Sequence, residues 1–168
     1  MDETCEGYTV ALAAFDVLPI LAFALGFRFL IEVFRGQDVL VQRAVRVAAV
    51  LLVVGYSIAG PGRKFVIAGQ DGCDLHNEFQ LPFFLPMPLA FLLLAWAAVT
   101  LLRRRPISIL PFAGILLVVW IGAAAAGSAM VALASAGLVA VFFAFVMALV
   151  AREEGDLATA GLYVLRSE

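Results

Sequence analysis

The sequence predicts an all-α protein, a multi-pass transmembrane helical bundle with five spans. Of its 168 residues, 64% are hydrophobic and only 14% are charged, whereas soluble chains have about 45–50% apolar and about 25% charged residues. A soluble domain of this length could not bury so much apolar surface, so the surplus indicates contact with lipid. The apolar residues also fall into runs close to the roughly 20 residues that cross a bilayer. Residues 1–151 are therefore predicted to form a single bundle.

The spans follow from the apolar runs in order. The acidic start MDETCEG is unlike the basic beginning of a signal peptide, so the first run is predicted to be a retained span. The run over residues 107–150 is too long for one crossing and is divided in two. Its turn is placed within 122–128, where small residues permit close packing and glycine permits a tight turn. The predicted spans are residues 8–31, 45–60, 81–102, 107–125 and 128–150.

The distribution of arginine predicts the orientation. Basic residues near span ends favour the cytoplasmic side, and with five spans most of them fall on one side: Arg28, Arg35, Arg43, Arg46, Arg103, Arg104, Arg105 and Arg152. Only Arg63 and Lys64 fall on the other. We therefore expect the N-terminus outside and the C-terminus inside a plasma or inner membrane. Residues 152–168 are expected to form a cytoplasmic tail, either solvated or folded as a short interfacial helix.

Asp16 is the first candidate functional residue. It lies eight residues after Tyr8, about 12 Å along a helix, so it should approach the middle of the roughly 30 Å hydrocarbon core. A carboxylate at that depth must face protein or water. Pro19, which lacks an N–H, should loosen the helix beside Asp16. The pattern is typical of proton or cation sites, while the alternative is a protonated Asp16 hydrogen-bonded to a neighbouring helix.

The second candidate site lies in the long loop between spans two and three. Asp74, His76 and Glu78 alternate along the sequence, so they would point the same way on an extended segment. They are weak candidates for a metal site or for an outer-surface enzyme, because zinc sites usually contain more His or Cys. The alternative is a solvated loop with a lone histidine.

The two cysteines suggest a disulfide. Cys5 precedes span one and Cys73 lies in the loop after span two, so the predicted topology puts both on the outer side, where oxidation is favoured. We expect them to form a bridge, unless their Cα atoms lie too far apart.

Three local patterns predict finer structure. Arg28 and Glu32 have i, i+4 spacing and are predicted to pair as an anchor at the end of span one. Residues 60–62, Gly-Pro-Gly, are predicted to form a turn. Three prolines at 82, 86 and 88 predict either a kinked entrance to span three or a loop that begins deeper than expected.

Motif absences limit the function classes. The single histidine excludes bis-histidine haem ligation by this chain alone, and no Walker A, G-x-S-x-G, H-E-x-x-H or C-x-x-C pattern occurs. The sequence has no basic stripe interleaved with exposed aromatic residues, so nucleic-acid binding is not expected. No cofactor is expected either. The leading expectation is a non-catalytic subunit, scaffold or sensor, with membrane lipid and either other subunits or further copies of the chain as partners. The alternatives are a small oligomeric transporter or channel that uses Asp16, and the outer-surface enzyme.

Overall fold

A computed structural model describes residues 10–62, 64–65, 86–127 and 129–153, and all secondary structure in these ranges is helical. The all-helical class is therefore confirmed for the described part of the chain. In chain order the elements are α1 Val10–Phe15, α2 Val17–Val33, α3 Val39–Ser57, the π turn Ile58–Gly62, α4 Pro86–Arg103, α5 Leu110–Ala126 and α6 Ala129–Glu153.

Four helices among the described residues are long and apolar enough to cross a membrane: Ala13–Val33, Val39–Gly62, Pro86–Arg103 and Val131–Glu153. The first runs across the end of α1 into α2, and the second includes the π turn. Helix α5 is apolar but shorter, with 17 residues. The chain thus has the helices of a membrane protein, in agreement with its composition.

Two side chains fix the connection between α2 and α3. Asp38 caps α3, because its Oδ1 accepts a hydrogen bond of 3.1 Å from the backbone N–H of Leu40. Gln42, one turn into α3, donates from Nε2 to the carbonyls of Arg35 and Gln37, both at 2.8 Å. The backbone of the connection is therefore held against the first turn of α3.

The connection between α4 and α5 is fixed by a tryptophan. Trp96 is buried in α4, and its Nε1 donates to the carbonyl of Ile107 at 3.1 Å. Arg104, directly after α4, has a left-handed backbone with φ 51°, a conformation common just beyond the end of a helix. The loop therefore turns at Arg104 and is bound back to the middle of α4.

Helix α5 is capped by Gly127, which is left-handed with φ 56°. A glycine adopts this conformation without the Cβ clash that other residues meet. Gly127 lies inside the 122–128 segment in which the turn was expected.

Helix α4 is the centre of the bundle. It packs against α3, α5 and α6, while α2 packs on α3. In the best 18-residue window of each helix, 56% of α4 is buried but only 6% of Ala13–Val33. The largest fully buried side chains come from several elements: Phe34, Val45, Leu52, Pro88 and Leu94.

Prolines 86 and 88 lie in the first turn of α4, where a missing N–H breaks no helical hydrogen bond. The helix is therefore α-helical from Pro86 onward. Pro82, the third proline of this predicted entrance, lies outside the described residues.

The ends of three elements meet at one end of the bundle. An open cleft of about 280 Å³ is lined by Gln37 from the α2–α3 connection, by Leu101, Leu102 and Arg104 from the end of α4, and by Val150 and Glu153 from the end of α6. These three chain segments and the helix turns beside them carry the described arginines, which therefore lie toward one end of the molecule.

Candidate functional site

Asp16 interrupts the first span. Helix α1 ends at Phe15 and α2 begins at Val17, with Asp16 in helical backbone geometry between them (φ −69°, ψ −9°). The break lies one turn before Pro19, whose missing N–H leaves the carbonyl of Phe15 without its i+4 partner. Although Asp16 occupies the N-cap position of α2, its side chain makes no capping hydrogen bond. The carboxylate is therefore available to another element.

That element is the segment at the end of α3, which begins with the π turn and leads to Lys64. The sequence predicts a turn at residues 60–62, but the structure places them in π-helix, with Pro61 inside it. Pro61 cannot donate to the carbonyl of Ser57, and in the i→i+5 register Ser57 is matched with Gly62 instead. Ser57 Oγ also bonds back to the carbonyl of Val53 at 2.8 Å, a contact that often bends helices.

The π turn brings the only lysine of the chain to Asp16. Residues 64–65 continue in helical conformation after it, and Lys64 Nζ lies 2.6 Å from Asp16 Oδ2. The side chains are 17% and 29% exposed, respectively. Gly60 lies beside the carboxylate, since a Cβ built there would be 3.5 Å from Asp16 Oδ2. The site is thus a half-buried ion pair that connects the first two spans.

The ion pair lies near the ends of two candidate spans. Asp16 lies in the first turn of the candidate span Ala13–Val33, and Lys64 follows the last residue of the candidate span Val39–Gly62 by two positions. Both residues therefore lie at the end of the bundle opposite the arginine-lined cleft. The sequence identifies Asp16 but not Lys64 as its partner, because Lys64 follows the predicted second span and falls in the predicted loop.

The chemistry of the pair is electrostatic. A carboxylate and an ammonium group removed from water compensate each other only at close range, and the loss of either leaves an uncompensated charge. Because the Lys64 ammonium lies against Oδ2 of Asp16, an incoming cation would meet a positive charge beside that oxygen. The geometry thus favours a structural connection over a vacant cation site.

The predicted Arg28–Glu32 pair is wrong. Glu32 Oε1 accepts from the Arg35 side chain at 2.9 Å, and Arg28 forms no ion pair within the described residues. Arg35 can reach back because α2 ends at Val33 and the chain turns after it. The pair is exposed, with 77% of the Arg35 side chain and 45% of the Glu32 side chain accessible.

The other predicted sites lie outside the described residues. This holds for Asp74, His76 and Glu78, for the disulfide between Cys5 and Cys73, and for most of the 152–168 tail. Within the part of the chain that the structure describes, no group of three or more His, Cys, Asp or Glu side chains could hold a metal ion.

Trp96 and Trp120 have different environments. Trp96 is buried in the core, and Trp120 is half-buried in α5. The role of Trp96 is therefore packing and loop attachment.

Comparison with known proteins gives no match, whether with family models, with curated proteins or with solved structures.

Proposed function

We propose that this chain is a non-catalytic integral membrane subunit that binds a partner helix through an exposed face of α6. The face is a strip of mostly small residues with alternating spacings of three and four: Ala134, Gly137, Val141, Ala144 and Ala148. All five positions are exposed. This observation carries the proposal.

Small residues at these positions favour a protein neighbour over lipid. A lipid-facing position gains nothing from a small side chain, because lipid chains adapt to large apolar groups equally well. Helix pairs in membranes, in contrast, use small residues to bring their backbones close enough for extensive van der Waals contact. A 3–4 spacing also keeps one strip facing a partner at a left-handed crossing. A Cβ built at Gly137 would meet no atom within 4 Å, so the space in front of it is open.

The ion pair supports the same proposal. Among the described residues, Asp16 is bound to Lys64 and Glu32 to Arg35, and α4 fills the centre of the bundle with apolar side chains such as Leu94 and Trp96. The described core around α4 is therefore apolar and suits close packing of helices. Such packing is what an assembly role, as a scaffold or sensor in a plasma or inner membrane, requires.

The alteration of one exposed alanine tests the proposal. Ala144→Leu should abolish co-purification of a stoichiometric partner in mild detergent, because the added side chain separates the backbones. Ala113→Leu makes the same change at an exposed position of α5 and should leave the partner bound. Retention of the partner by the Ala144 variant, or its equal loss in both, would contradict the proposed face. If the chain is isolated as a pure homo-oligomer, the partner helix belongs to a second copy of the chain and not to another protein.

Five spans with the N-terminus outside belong to the same proposal. The cleft unites the ends of α4 and α6, so α5 must run away from that end for α6 to return to it. Its 17 residues extend about 26 Å, at the lower limit of a spanning helix. The arginines at the cleft end favour the cytoplasm for that end.

Thiol labelling tests this topology. In a Cys-free background, a single cysteine at position 70 should react with a membrane-impermeant reagent in intact cells, and one at Arg104 should react only after lysis. Labelling of position 104 but not of position 70 in intact cells would reverse the orientation. Labelling of both in intact cells would mean that α4, the helix between the two positions, does not span the membrane.

A second candidate function, transport of a proton, cation or small solute by an oligomer, is favoured by one observation. A π turn and a broken helix meet at an ion pair that joins the first two spans, and π segments are frequent at functional sites. In a transporter the pair would open and close during the cycle.

A further inference from the structure

Among the described residues, the basic end of the bundle has more arginines than acidic side chains. Of the arginines that the structure describes there, only Arg35 forms an ion pair with another described residue. The others that share this end, Arg28, Arg43, Arg46, Arg103, Arg104, Arg105 and Arg152, are exposed. Exposed guanidinium groups at this level of a membrane protein face the lipid headgroups.

Two of these arginines lie one turn apart on a single helix. Arg43 and Arg46 are on one face of α3, and the same face continues with Val47, Val50 and Val54. The three valines are 49%, 61% and 50% exposed, respectively. The opposite face of α3, which includes Val45 and Leu52, is buried in the core. On the outer face of α3, the two arginines are therefore followed directly by an apolar strip.

The dimensions of this face match one leaflet. From Arg46 to Val54 the helix rises about 12 Å, close to half of the roughly 30 Å hydrocarbon core. A lipid beside α3 would set its acyl chains against the valines and its phosphate level with the two guanidinium groups. Arginine is suited to a phosphate because its planar donors bind two oxygens at once.

We propose that the outer face of α3 is a binding site for an anionic phospholipid, with Arg43 and Arg46 holding the headgroup and the valine strip holding the acyl chains. The charge of the site selects an anionic over a zwitterionic headgroup. The apolar strip selects a lipid over a free phosphate. The site rests on the chain being a membrane protein and is independent of the partner proposed for α6.

Lipid titration of the purified full chain in detergent, followed by native mass spectrometry, tests the site. Dioleoylphosphatidylglycerol should bind about 30-fold more tightly than dioleoylphosphatidylcholine, since each arginine near the headgroup level contributes about fivefold. Arg43→Gln with Arg46→Gln should remove this preference. Arg104→Gln with Arg105→Gln removes the same charge from the same end of the bundle and should preserve the preference for phosphatidylglycerol. Arg43→Lys with Arg46→Lys keeps the charge and should retain most of the preference.

Three outcomes would overturn the proposal. Equal losses in the two glutamine variants would mean that the basic end attracts anionic lipid diffusely, with no site on α3. Competition by soluble glycerol phosphate at the concentration effective for the lipid would mean an anion site without an acyl component. Loss of phosphatidylcholine binding by the double glutamine variant at Arg43 and Arg46 would show that this variant is misfolded. The double lysine variant then decides. If it folds but does not prefer phosphatidylglycerol, the proposed site is wrong.

Discussion

Asp16→Leu and Lys64→Leu should each lower the free energy of unfolding by about 2–3 kcal/mol, less than the about 3–5 kcal/mol for a fully buried pair. The two side chains are 29% and 17% exposed, so solvent compensates part of the charge that remains. The double variant should lose less than the two single variants together, because it leaves no unpaired charge. Such coupling is expected only if the two groups are in contact.

Equilibrium unfolding in mixed micelles measures these costs, and the molecule supplies a matched control. Glu32 and Arg35 form a pair of similar length, 2.9 Å, but their side chains are 45% and 77% exposed. Glu32→Leu should therefore cost about 0.5 kcal/mol or less. If Asp16→Leu costs no more than Glu32→Leu, or if the double variant shows simple additivity, the ion pair does not stabilise the bundle.

Asp16→Asn distinguishes the two candidate functions at the same position. The amide oxygen can still accept from Lys64 and is cheaper to bury than a carboxylate, so folding and partner binding should survive if the pair is structural. A transporter that cycles the charge of Asp16 should instead lose its flux or its pH dependence while remaining folded. Unaltered flux of the Asn variant in a reconstituted assay would remove the main support for transport.

The helical class could be predicted from the sequence because it depends on local properties. Long apolar runs give the helices, and glycine and charged residues mark where the runs stop. Gly127 is an example, since its left-handed backbone, with φ 56°, is a conformation that glycine adopts without a Cβ clash. The helix boundaries are harder to predict. Helix α3 begins at Val39, well before the expected position 45. It does so because Asp38 caps it and because the arginines on its exposed face belong to the helix.

The ion pair could not be predicted, for a reason that is also physical. The contact depends on where two helices stop relative to each other, and the second helix continues past Pro61 in π register rather than ending in a turn. The sequence shows a proline flanked by glycines, which is as compatible with a turn as with a π segment. Similarly, the partner of Glu32 depends on the turn after Val33 and not on helical spacing alone.

Gly62→Ala should destabilise the bundle by about 1–3 kcal/mol, the usual cost of forcing a methyl group into packed structure. A Cβ at this position would lie 2.9 Å from the carbonyl oxygen of Ser57. The obstacle is backbone, so the π turn itself must shift. Gly60→Ala is the control two residues earlier, since its Cβ would meet Asp16 Oδ2 at 3.5 Å, an ordinary contact. That variant should remain within about 0.5 kcal/mol of the wild type.

The same pair of variants shows whether the π turn positions Lys64. If Gly62→Ala moves the segment that follows, Lys64 should lie farther from Asp16, and the cost of a subsequent Asp16→Leu substitution should fall well below its value in the wild type. In the Gly60→Ala background that cost should be unchanged. Unfolding of the four variants in one micelle system gives both differences. An undiminished cost of Asp16→Leu in the Gly62→Ala background would mean that Lys64 reaches Asp16 without the π turn, and the turn would then have no part in forming the ion pair.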